Sequence, residues 1–83
     1  MEIRYTYKAR DDFKMLSRPV QKRIALKMRF YASQENPLEF AKRLANPEEG
    51  EFRFRIGDWR VIFDVSEEII FVLRIKHRSE AYE

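Results

Sequence analysis

The chain contains no cysteine. Disulfides and thiolate metal sites are therefore excluded, and a reducing compartment suits it. With only two glycines it cannot build a glycine-rich phosphate loop. His77 is its single histidine, and no carboxylates cluster at ligand spacing, so neither a metal nor a cofactor is expected. A Ser-His-acid triad would have to use that one His, in a strand, where a structural role is the commoner one. No apolar run approaches the ~20 residues that span a bilayer. The opening MEIRYTYKAR also lacks the apolar core of a signal peptide. The expectation is a cytoplasmic protein with no membrane partner.

What the chain does have is apolar bulk and charge. Of its 83 residues, 45% are hydrophobic and 37% charged, which fits one globular domain over residues 1–83 and excludes a disordered tail. Seventeen basic residues face fourteen acidic ones, so the placement of charge says more than the net +3.

Periodicity divides the chain into elements. Residues 1–7 alternate as a strand, with Ile3, Tyr5 and Tyr7 on one side. Residues 8–16 read as a short helix with Ala9, Phe13 and Leu16 at helical spacing; Asp11 and Asp12 would suit its first turn. Pro19 opens a second helix, to about residue 34, with Val20, Ile24, the Lys27 stem, Met28 and Tyr31 as its buried stripe. Asn36-Pro37 stops it. Residues 38–44 read as one helical turn or extended chain, and residues 46–50 as a loop. Three strands follow. The order β-α-α-β-β-β predicts an α+β fold, an antiparallel-rich sheet with a helical hairpin packed on one face.

Strand side chains alternate between faces, which assigns them by parity. Phe52, Phe54 and Ile56 share one face, and Arg53 and Arg55 the other. After Gly57-Asp58, Trp59, Val61, Phe63 and Val65 alternate with Arg60, Ile62 and Asp64. In the last strand Ile69, Phe71, Leu73 and Ile75 alternate with Ile70, Val72, Arg74 and Lys76. The helices should cover the face bearing Phe54, Val61, Phe63, Phe71 and Leu73. Ile62, Ile70 and Val72 would then lie on the basic face, under residues 38–44 or a partner protein.

Gly57-Asp58 suits a two-residue hairpin turn, because glycine accepts φ > 0. That register sets Arg55 opposite Arg60. The periodicity favours a three-residue connection over residues 66–68, because a two-residue loop would put apolar side chains opposite charged ones; it sets Val65 opposite Ile69, Phe63 opposite Phe71 and Arg60 opposite Arg74. Like charges directly opposite destabilise, where most cross-strand pairs contribute about 0.2–1 kcal/mol. Such a face is either solvated charge balanced by acidic neighbours or a surface for a polyanion. Arginine binds phosphate in a fork and keeps its charge at any working pH.

Three segments, KARDDFKMLSRPVQKRI, RLANPEEGEFRFRIGDWRVIFDV and VLRIKHRSEAY, resemble the RelE/ParE superfamily of toxins from toxin–antitoxin pairs. The likeness covers nearly the whole chain, and the spacing from xRxRxGxxRVIF to HRxExY is its most specific part. It implies a RelE-like fold, akin to a microbial ribonuclease. For RelE-type members it implies a ribosome-dependent mRNA endonuclease that enters the 30S A site and inhibits translation. There the 2′-hydroxyl attacks the adjacent phosphate and displaces the 5′-oxygen. Partners implied are mRNA, the ribosome and a RelB-like antitoxin, a heterotetramer being one arrangement.

Carried over by position, Arg53 and Arg55 match two basic residues of the first meander strand. Arg60 matches an arginine that binds the scissile phosphate, and Lys76 a basic residue that assists the leaving group. Tyr82 matches a tyrosine that stacks on the message, and Arg78 an arginine that braces the site. Arg74 joins Arg53 and Arg78 as a substrate-binding candidate, and Arg55, Arg60, Lys76 and Tyr82 form the catalytic set. With arginine at position 55 a neutral base is lacking there. His77 is by residue type a possible acid or base, although parity points it to the apolar face. Two other functions fit the same fold: a ParE-like DNA gyrase poison without nuclease activity, and an inactive RNA-binding module using Lys22, Arg23, Lys27 and Arg29.

Overall fold

In the computed structural model, which describes residues 1–46 and 48–81, Thr6 ends the first strand and starts the first helix. Its Oγ1 accepts from the Ala9 N–H at 3.2 Å and donates to the Leu73 carbonyl at 3.1 Å. The hydroxyl thus caps the helix and ties the corner to the sheet. Strand β1 is Glu2–Tyr5 and helix α1 is Tyr7–Lys14. Tyr7, expected on the Ile3 and Tyr5 side of a longer strand, is exposed at the first helical position. Asp11 and Asp12 consequently lie beyond the first turn, which contains no acidic residue. The macrodipole is therefore not what they serve.

Helix α2 (Arg18–Ser33) has Pro19 in its first turn, as expected, and buries Ile24, Met28 and Tyr31. Asn36 accepts from the Leu38 N–H and opens a single 3-10 turn, Pro37–Phe40. The chain then extends as β2 (Ala41–Arg43), so residues 38–44 hold both a helical turn and a strand. The meander is β3 (Phe52–Ile56), β4 (Trp59–Ser66) and β5 (Ile69–His77). The expected α+β order gains one short edge strand. The five-stranded sheet runs β1-β5-β4-β3-β2, with β1 parallel to β5 and the other pairs antiparallel.

The helical hairpin covers one face of this sheet. Ile24, Met28 and Tyr31 meet Phe54, Ile56, Val61, Phe63, Ile70, Val72 and Ile75 in the core. Tyr31, Phe54 and Phe63 stack in a column with both centroid spacings 4.3 Å. Among the described residues, no helix is long and apolar enough to cross a membrane.

The last hairpin departs from the expected register. Its turn has two residues, Glu67 and Glu68, both in the left-handed region at φ 48° and 65°. Ser66 therefore opposes Ile69, and Val65 opposes Ile70. A bulge then shifts the pairing: Phe63 opposes Val72, whereas Ile62 opposes Arg74, leaving Leu73 as the extra residue. Arg60 opposes Lys76, not Arg74. The expected parity of β5 holds only after the bulge. Before it, Ile70 and Val72 enter the core, and Phe71 and Leu73 take the outer side. A left-handed L-residue costs about 1–2 kcal/mol. Burying two β-branched side chains offsets that, since full burial of one such residue contributes about 1.5–3 kcal/mol. Ile62 does stay on the outer face, but the chain near Gly50 covers it. A Cβ on Gly50 would lie 2.7 Å from an Ile62 methyl.

Candidate nucleic-acid interface

Register assembles the outer face into two rows. Arg55, Arg60 and Lys76 stand side by side across β3, β4 and β5. Lys42, Arg53, Ile62 and Arg74 form the neighbouring row across β2 to β5. The Arg55–Arg60 opposition predicted from the turn is present, and Gly57 takes φ 61° as that turn requires.

The fold relieves the repulsion by giving most of these cations separate partners. Arg60 is only 2% exposed, and its Nη1 donates to the carbonyls of Gly57 and Trp59, both at 3.0 Å. Arg53 is 9% exposed. The basic face is thus less open than parity alone suggests. Arg60 contributes charge from beneath the surface, while Arg55 stands exposed in front of it. Arg55 makes no ion pair with another described residue. Lys76 Nζ lies 3.5 Å from a Glu49 carboxylate oxygen.

Arg74 is committed elsewhere. Its Nε and Nη2 donate to the two carboxylate oxygens of Asp12, at 2.8 and 3.2 Å. Asp12 also accepts the Ile75 N–H at 2.9 Å. Burial pushes the Asp12 carboxyl up, but hydrogen bonds from Arg74 and Ile75 and the charges of Arg74 and Lys76 outweigh it and hold the group below the usual carboxylate range. The same pair moves Arg74 upward. Asp12 thus pins helix α1 to the strand just after the bulge.

His77 lies away from the basic rows. It opposes Trp59, packs edge-on to the indole at 5.2 Å, and its Nδ1 is 2.9 Å from Ser79 Oγ. Arg78 is exposed beside the β3–β4 turn, with its Nε 3.7 Å from Asp58 and its backbone N–H bonded to the Asp58 carbonyl. Tyr82 lies outside the described residues. The structure therefore brings Arg53, Arg55, Arg60 and Lys76 together, occupies Arg74 with Asp12, and sets His77 and Arg78 to the side.

Three neighbours were not singled out as site residues from the sequence. Lys42 sits in a strand too short to show a period. Asp12 and Glu49 reach the face from distant segments. Arg23, named from the sequence only as an RNA contact of the helical hairpin, has its guanidinium over the turn: a Cβ on Gly57 would be 2.8 Å from its Nη1. Two grooves flank the rows. One, about 580 Å³, has Ile62 and Leu73 in its lining with Arg74, Lys76 and Glu49. The other, about 360 Å³, is lined by Lys42, Arg53 and again Glu49, among others. A polyanion strand crossing this face would meet exposed cations at its edges and a buried guanidinium at its centre, which suits electrostatic stabilisation of phosphate charge.

Comparison with solved structures gives full-length matches. The toxin–antitoxin complex RelBE2 from Mycobacterium tuberculosis is 26% identical, with TM-score 0.74, covering 93% of this chain and 96% of that one. An archaeal RelE–RelB complex from Pyrococcus horikoshii is 24% identical, with TM-score 0.72, covering 96% and 97%. The RelB–RelE complex from Methanococcus jannaschii is 22% identical, with TM-score 0.66, covering 90% and 89%. The last two show the shared fold. Comparison with curated proteins gives no match. The model of the ParE toxin of type II toxin–antitoxin systems, parDE, matches residues 3–82. The chain therefore belongs to the ParE toxin family of type II toxin–antitoxin systems, within the RelE/ParE superfamily.

Proposed function

We propose that this toxin is a ribosome-dependent endoribonuclease that cuts mRNA in the A site of the 30S subunit and so inhibits translation. The observation that carries this reading is the row Arg55–Arg60–Lys76, three cations side by side across three strands, beside Arg53 and Lys42. Like charges at adjacent strand positions work against the fold, and binding phosphate gives them a use. In the reaction the 2′-hydroxyl attacks the neighbouring phosphate. Arg55 and Arg60 stabilise the added negative charge, Lys76 assists departure of the 5′-oxygen, and Tyr82 stacks on the message. Arg53 and Arg78 hold flanking phosphates. Arg74 serves the sheet more than the substrate, because Asp12 occupies its fork. Partners are a RelB-like antitoxin, the ribosome and mRNA, in the cytoplasm.

Primer extension on ribosome-bound message, with and without the purified protein, tests the reading. Cuts that map to the A site and require ribosomes support it. The second reading, a gyrase poison, is favoured by the match to a family model named for ParE. Absence of A-site cuts, together with inhibited gyrase supercoiling, would replace the first reading with the second.

A further inference from the structure

The proposed cleavage needs a group that accepts the 2′-hydroxyl proton; the arginines of the basic rows do not offer one, and Lys76 serves the leaving oxygen. Arginine stays protonated, and His77 packs on Trp59 away from Arg60 and Lys76. Glu48 and Glu49 both line the groove beside Arg74 and Lys76, but of the two Glu49 alone also lines the groove of Lys42 and Arg53. Glu49 lines both grooves, facing Lys76 and Arg74 of β5 in one and Lys42 of β2 and Arg53 of β3 in the other. Its carboxylate oxygen is 3.5 Å from Lys76 Nζ, and the two side chains are 18% and 21% exposed.

Its placement is anchored on the C-terminal side. Gly50 is buried at φ 150°, where a Cβ would fall 2.7 Å from Ile62 and 3.2 Å from Leu73, so the backbone next to Glu49 lies directly on the floor of the face. Glu51 then fastens the chain: its N–H donates to Asp64 Oδ1 at 2.8 Å, its Oε1 accepts the Val65 N–H at 3.1 Å, and its carbonyl accepts the Leu44 N–H at 2.9 Å.

We infer that Glu49, resting on the ribonuclease reading above, is the catalytic residue that takes the proton from the attacking 2′-hydroxyl. The carboxylate accepts that proton as the 2′-oxygen bonds to phosphorus. The bond from phosphorus to the 5′-oxygen breaks, and the leaving oxygen takes a proton from the Lys76 ammonium. The products are a 2′,3′-cyclic phosphate and a 5′-hydroxyl. Glu49, now protonated, returns its proton to the neutral Lys76 amine across their contact, which restores both groups.

The test is Glu49→Gln, which keeps side-chain length and removes the base. Single-turnover cleavage on programmed ribosomes is measured beside binding to the same ribosomes carrying a message with a 2′-deoxynucleotide at the cut position. The expected result is a cleavage rate lower by about 10²–10⁴-fold, the usual contribution of a general base, with binding unchanged or tighter because a negative charge has left the surface. If Glu49 only balances charge, the variant binds more tightly and cuts at least as fast as wild type, and the inference is overturned. Cleavage within twofold of wild type overturns it as well. Absence of cutting by the wild-type protein would defeat the ribonuclease reading itself, so the two failures are distinct.

Discussion

Replacing Asp12 by alanine should destabilise the protein by about 2–3 kcal/mol. Asp12 accepts three hydrogen bonds, two from the Arg74 guanidinium and one from the Ile75 N–H. Hydrogen bonds to charged groups contribute about 1.5–3 kcal/mol each when buried, and a stranded buried N–H costs about 1–3 kcal/mol. The Arg74 side chain is 38% exposed, so water recovers much of what its guanidinium loses, and its share is correspondingly small. Most of the effect then comes from Ile75, whose backbone lies in the core strand. For a domain of this size the loss lowers Tm by roughly 8–24 °C, from about 4–8 °C per kcal/mol.

Urea unfolding of both proteins across pH reads the electrostatic part separately. The folded Asp12 carboxyl is held below its ordinary value. Its stabilisation is therefore complete above the unfolded-chain pKa near ~3.9 and disappears as pH falls through the lower folded value. The gap between wild type and Asp12→Ala should be constant near neutrality and shrink below about pH 4. A gap under about 0.5 kcal/mol at pH 7, the size of an ordinary surface substitution, would refute the argument. So would a gap that widens in acid.

Arg60→Ala should unfold at lower urea concentration than wild type, by about 1–3 kcal/mol, because the guanidinium is buried and bonded to two turn carbonyls. Unchanged stability in that variant would mean that Arg60 does not hold the turn. In the β4–β5 turn, Glu67→Gly and Glu68→Gly should each raise stability by up to about 1 kcal/mol, since glycine removes the left-handed penalty at φ 48° and 65°. Thermal melts that fall in both variants would show those glutamates to be held by something other than backbone geometry.

Much of this protein was legible in its sequence. Alternation in FRFRIGDWRVIF marked two strands, Gly57-Asp58 set their turn, and their register followed with Arg55 against Arg60. Helical spacing gave α2 the buried Ile24, Met28 and Tyr31 of its stripe, with Val20 half-buried and Lys27 exposed instead, and Pro19 marked its first turn. These are local consequences of two fixed periods and of backbone preferences at single residues, so they need no tertiary information. Parity also separated His77 from the arginines, which the packing against Trp59 bears out.

The last strand required the folded molecule. Parity carries along a strand only while pairing is regular, and one extra residue at Leu73 reverses it. Whether that bulge forms depends on a competition between distant parts: burial of Ile70 and Val72, the strain of the Glu67-Glu68 turn, and the grip of Asp12 on Ile75, 63 residues away in sequence. The same holds for the basic face. Its charges were written in the sequence, because residue type and alternation placed them on one side. Their exposure was decided only by tertiary structure, because it follows from partners contributed by other segments. Arg60 turns inward to its own hairpin, Arg74 is taken by a helix, and Lys76 is met by a carboxylate from a loop. Arg55 is left at the surface, next to Arg60 in the register.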